Sequence, residues 1–172
     1  MTATTPIDKL FLAERRIYGI EKGICTISLF VMLLAVMGSV IVRNFNLPLL
    51  NPGEYGIIAM APLTFVGAAM CTYTGSHIAV DVITLVKSAS LRRLARLAVA
   101  LAMVIFAVVY GWTGWHYMMD AIESGERLLD TGTPIMIPLA FLPLGMALVL
   151  LHTVAEIIRV ATGHEAHTEE DA

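Results

Sequence analysis

Charge is scarce in this sequence: Asp, Glu, Lys and Arg make up 15% of its 172 residues, while 58% are hydrophobic. The mean hydropathy is +0.78. A soluble domain carries about 25% charged residues and cannot bury this much apolar surface at this length. A water-soluble globule is therefore excluded, and the bilayer is the natural solvent. Cysteine is nearly absent, with only Cys25 and Cys71. We read both as small hydrophobes near opposite membrane faces, too far apart to be bridged. The formal net charge of -3 leaves no basic footprint for nucleic acid. No nucleotide-binding glycine loop, HExxH or GxSxG occurs, so the chain reads as a non-enzyme.

What the sequence does contain is four apolar runs, near Ile24–Val42, Ile57–Gly75, Leu94–His116 and Pro134–Ile158. Each approaches the roughly 20 residues that carry a helix across a bilayer. The expected fold is an all-α membrane protein with four transmembrane helices in a single membrane domain, residues 1–172, with residues 159–172 as a flexible cytoplasmic tail. The first run starts too far in and extends too long for a removable signal peptide, and reads as a retained helix.

Nine of the 11 basic residues fall on the amino-terminal arm, the second loop and the carboxyl-terminal side of the fourth span. They are Lys9, Arg15, Arg16 and Lys22, then Lys87, Arg92, Arg93 and Arg96, then Arg159; Arg43 and Arg127 lie on the opposite set. The positive-inside rule predicts both termini in the cytoplasm. The arm IDKLFLAERRIYGIEKG places Ile7, Leu10, Phe11, Ile17 and Ile20 at helical intervals, and VDVITLVKSASLRRLARLAV mixes apolar and basic positions similarly. Both suit interfacial amphipathic segments against membrane lipid or a partner protein. In the third loop, Asp120, Glu123, Glu126 and Asp130 alternate with Met119, Ile122, Leu128 and Leu129, which fits a solvated acidic loop or a short helix on the outer interface, and Pro134 suits a helix first turn. Trp112, Trp115 and Tyr117 bunch where interfacial anchors sit.

Two His and acid pairs at spacing four share helix faces: His77 with Asp81, and His152 with Glu156. Both lie near the expected cytoplasmic boundary, where ionisable groups need partners. Loop backbone or a neighbouring polypeptide is the expected partner. No cysteine joins them, so no metal site is assigned. His116 and His152 are about 27 Å apart in depth and cannot grip one haem; His77 and His152 are closer in depth, which leaves that pair open, but His77 sits at or beyond the end of its span. No cofactor is assigned. Small residues Gly38, Ser39, Gly67, Ala68, Ala69, Gly111 and Gly114 permit close helix approach. Leu29–Val36 and Val99–Val109 contain no ionisable residue, whereas a self-sufficient carrier offers a polar midplane site. The chain reads as support for a transport site held elsewhere.

The phrases VRNFNLPLLNPGEYG, with Arg43, Asn44 and Glu54, GAAMCTYTGSHIAVDV, with Gly67, His77 and Asp81, and PIMIPLAFLPLGMALVLLHTVAEIIR, with Pro138, Pro143 and Gly145, carry a resemblance. Over Glu14 to Arg159 the chain resembles the small membrane subunit of tripartite ATP-independent periplasmic (TRAP) transporters, the DctQ-like family. Where that family often has a basic residue before the histidine, this chain has Thr72, Tyr73 and Thr74. The resemblance implies a scaffold in the bacterial inner membrane for a large multi-span elevator-type subunit holding the substrate and sodium sites. A periplasmic substrate-binding protein would deliver an organic anion. Arg43 and Glu54 would then belong to an outer contact region, and His77 and Asp81 to an inner turn or subunit interface. A haem-binding redox subunit and an independent homo-oligomeric channel or carrier are the alternatives.

Overall fold

The computed structural model describes residues 6–49, 51–75 and 89–162, and shows four helices with no strand among them. We label them α1 (Pro6–Asn44), α2 (Gly53–Thr74), α3 (Ala89–Ser124) and α4 (Met136–Thr162). All four are long and apolar enough to cross a membrane. At 1.5 Å per residue α2 spans about 33 Å, close to the hydrocarbon thickness, while α1 and α3 exceed about 50 Å and must project beyond it.

The ends follow from local chemistry. α1 closes with Asn46 at φ 48°, a left-handed position that Asn tolerates. Leu47 N–H then donates to the Val42 carbonyl at 3.0 Å. Asn51 Oδ1 accepts from Gly53 N–H at 3.0 Å and from Ser39 Oγ at 2.7 Å, tying the start of α2 to α1. α2 stops at Gly75, whose φ of 66° directs its N–H back to the Cys71 and Thr72 carbonyls.

Helix order across the protein is α1, α2, α4, α3: α2 packs between α1 and α4, and α3 packs on the far side of α4. This is an open row. α2 buries Gly56, Ala59, Pro62, Val66, Ala69 and Tyr73, a seam at spacings of three and four. A Cβ on Gly145 of α4 would lie 2.6–2.7 Å from Phe65 Cβ and backbone, so only glycine allows this crossing. Ala69, Ala107, Met146 and Val149 form the core between α2, α3 and α4. The flanking helices remain open, with Ile27, Phe30 and Leu34 on α1 and Val108 and Trp112 on α3 all exposed.

Two segments differ from the sequence expectation in how they are built. The amino-terminal arm continues α1 without a break, and Ala89 onward opens α3. Past α3, the acidic loop is a hairpin rather than a helix. Leu128 N–H donates to Thr133 O at 2.9 Å and Ile135 N–H to Glu126 O at 3.1 Å. Asp120, Ile122 and Glu123 lie in the last turns of α3 itself, and Pro134 pairs across the hairpin with Arg127 just ahead of α4. Cys25 and Cys71 also depart from expectation. Cys25 Sγ is 3.9 Å from where a Cβ on Gly67 would sit, one turn from Cys71, so both thiols lie at the same end of the α1 and α2 pair. α1 runs away from that end while α2 runs toward it, which brings a residue early in one beside a residue late in the other. Both cysteines are free.

Candidate functional site

At the end of the row where α1 begins and α4 finishes, the protein buries a charge cluster. Glu14, Tyr18 and Glu21 stand at positions i, i+4 and i+7 of α1, one stripe of that helix. His152 and Arg159 stand seven apart on α4. Glu14, Glu21 and His152 are each 1% exposed and Arg159 is 3% exposed. His152 Nδ1 lies 3.1 Å from Glu14 Oε1, and Nε2 lies 3.1 Å and 3.3 Å from the two oxygens of Glu21. Arg159 Nη2 donates to the other oxygen of Glu14, and its Nη1 lies 3.6 Å from Glu156 Oε2.

An ionised carboxylate only accepts hydrogen bonds, and a neutral imidazole has one N–H to give. For both contacts of His152 to be hydrogen bonds, each needs a proton, one more than neutral His152 with two carboxylates supplies. With an imidazolium, His152 and Arg159 balance Glu14 and Glu21. Such balance is what makes burial of four charges tolerable, because an unpaired charge in this layer is costly.

Aromatic rings close the cluster. Tyr18 and Tyr73 stack with centroids 4.4 Å apart, and Tyr73 meets His152 edge-on at 5.4 Å. The Arg159 guanidinium sits 4.8 Å from the Phe11 centroid and 5.9 Å from that of Tyr73. Tyr73 is the penultimate residue of α2, so the Gly75 cap also places this ring.

At the opposite end, Glu54 in the first turn of α2 clasps the hairpin. Its Oε1 accepts from Asp130 N–H at 2.9 Å, and its Oε2 accepts from the N–H and Oγ1 of Thr131, both at 2.8 Å. This joins the start of α2 to the hairpin 76 residues later.

The residues singled out in the sequence are distributed over both ends. Arg43 and Asn44 are exposed in the last turn of α1, the favourable end of the helix dipole for Arg43. Gly67 faces Cys25. His77 and Asp81 lie outside the described residues. His152 and Glu156 share a helix but take different partners, and those of His152 are carboxylates of α1 in place of the expected loop backbone or neighbouring polypeptide. Among the described residues no set of His, Cys, Asp and Glu is arranged to hold a metal ion. Trp112 stacks edge-on against His116 at 4.8 Å, far along α3 from the cluster.

Sequence reasoning passed over Glu14, Glu21, Tyr18 and Tyr73. The apolar residues of the arm were expected to face lipid or a partner, and Ile20 is 64% exposed; what that expectation did not include is that its neighbour Glu21 is 1% exposed. The available signal was the spacing of Glu14, Tyr18 and Glu21 on one stripe.

Four spanning helices in an open row, fastened at one end by buried charge and at the other by a carboxylate clasp, define a multi-pass membrane protein. Residues 32–163 match the profile of the tripartite ATP-independent periplasmic transporters, DctQ component. The chain is 31% identical over 187 aligned positions to the C4-dicarboxylate TRAP transporter small permease protein DctQ of Vibrio cholerae serotype O1, covering 90% of this chain and 80% of that protein. No solved structure matches it. The chain belongs to the DctQ family of TRAP transporter small permease components.

Proposed function

We propose that this protein is the fixed scaffold of an ion-gradient-driven uptake system in the bacterial inner membrane, with both termini cytoplasmic. Its partners are a large multi-span subunit that carries the substrate and moves in an elevator-like cycle, and a periplasmic binding protein that delivers an organic anion. Sodium is the coupling ion in this reading. C4-dicarboxylates are the first substrates to test, on the strength of the Vibrio cholerae relative.

The observation that carries the proposal is the open helix row. Apolar side chains of α1 and α3 face outward along their length, as a scaffold clasped by a larger membrane partner requires. The described ionisable groups that are buried are engaged with one another at one end, and the midspan stretches offer none for a substrate. Within this reading Arg43, Asn44 and Glu54 form the outer contact region, Gly67 is a packing position, and His77 and Asp81 support the inner turn or the subunit interface. His152 and Glu156 serve the internal fastening.

The test is mass spectrometry of proteins retained with the tagged chain after gentle detergent extraction, with sizing of the complex. One large multi-span partner in fixed proportion is expected. Recovery of the chain alone across detergents, with ion flux on reconstitution, overturns the proposal in favour of an independent channel.

A further inference from the structure

The buried cluster has a geometric consequence for α1. Tyr18 stacks on Tyr73, the penultimate residue of α2, so the turns of α1 before Tyr18 extend past the end of that helix. About 12 residues, or about 18 Å of helix, overhang in this way. Among the described residues, this segment is attached to α4 through Glu14 on His152 and Arg159, and through Phe11 under Arg159. Elsewhere α1 packs on α2 and scarcely touches α4. The overhang is thus docked by charge more than by apolar packing.

We propose that Glu14, His152 and Glu21 form a proton-dependent latch that docks the amino-terminal overhang of α1 on the end of α4. With a proton on each line from His152, the four buried charges sum to zero and both carboxylates are satisfied. Loss of one proton to bulk water leaves a neutral imidazole with a single N–H, one carboxylate facing a bare ring nitrogen, and one net negative charge among Glu14, Glu21, His152 and Arg159. Releasing the overhang rehydrates Glu14, so the latch opens as pH rises.

Among the described residues, other titratable groups around His152 and its partners are Arg15, Tyr18 and Cys25 on α1, Tyr73 on α2, and Glu156 and Arg159 on α4. Lys22 lies 6.0 Å from the Tyr18 ring centroid, and Arg96 of α3 borders the crevice that Glu156 and Thr153 line. The guanidinium stays charged throughout. Glu156, with its side chain 29% exposed, is the member of the charge chain that meets solvent.

The experiment uses the full chain in lipid nanodiscs, with Cys25 and Cys71 replaced by serine and spin labels at Leu12→Cys on the overhang and Val154→Cys on α4. Both positions are exposed. Distance distributions are measured by double electron–electron resonance from about pH 6 to about pH 10, a range that brackets imidazole titration. The unmodified latch is expected to show one distance at the acid end and a growing longer population toward the alkaline end. Glu21→Gln supplies the missing donor, because its amide donates to Nε2 of a neutral ring while Nδ1–H serves Glu14. It is expected to stay docked at every pH. His152→Leu offers no donor to either carboxylate and is expected to be undocked at every pH. A distance that does not change with pH in the unmodified latch, or a pH response that survives in Glu21→Gln, overturns the proposal.

Discussion

His152 of α4 and Glu21 of α1 are 131 residues apart in the chain, yet Nε2 and Oε1 lie 3.1 Å apart, both side chains buried. This contact, with Glu14 on the other ring nitrogen, bridges the first and last helices over the end of the one between them. It turns a row of helices into a unit with a defined end.

Replacing His152 with alanine leaves Glu14 and Glu21 buried without the proton donor between them. Removing one member of a buried charge pair costs about 3–5 kcal/mol. The variant is expected to aggregate on heating in detergent well below the unmodified chain, as read by fluorescence-detected size exclusion. Replacing Glu14, His152, Glu21 and Arg159 together with apolar residues of similar volume is expected to restore much of that loss.

Gly145→Ala places a methyl group 2.6–2.7 Å from the Phe65 backbone and Cβ, where no side-chain rotation relieves it. Separating α2 from α4 is expected to cost about 1–3 kcal/mol. Gly23→Ala, with nothing within 4 Å of the added Cβ, is the control and is expected to be neutral or slightly stabilising. Thermal midpoints of the two variants check the contrast.

Glu54→Ala removes the acceptor for the Asp130 and Thr131 amides. Hydrogen exchange at the hairpin is expected to accelerate while α1 and the His152 cluster keep their protection. Glu54→Asp is expected to restore it only in part, because the shorter side chain cannot reach both amides and the Thr131 hydroxyl together.

Cys25 and Gly67 face one another across α1 and α2. Gly67→Cys with Cys71→Ser is expected to link to Cys25 under mild oxidation or with a short bifunctional maleimide, seen as a proteolysis-resistant connection between the first two helices. Moving the new thiol to Met60, which is exposed on α2, is expected to abolish the link.

Apolar runs of sufficient length name the spans, because a lipid environment demands internally bonded helices whatever their neighbours. Gly75 names the end of α2, because a left-handed cap is a local requirement. The family was legible in the phrases around Arg43, His77 and Pro143. Glu14 and Glu21 were not legible as buried, because a carboxylate in a charged arm ordinarily faces water, and only the arrival of His152 and Arg159 from the far end of the chain reverses that expectation.

Composition and periodicity by themselves determined that this is a four-span helical membrane protein, since transfer of apolar surface and backbone hydrogen bonding act on each segment separately. The tertiary structure alone decided that α2 and α4 are central, that α1 turns its acidic stripe inward, and that Glu54 holds the hairpin at the other end. Those outcomes depend on pairings between distant residues, and the energy of such a pairing exists only once packing has brought the partners together.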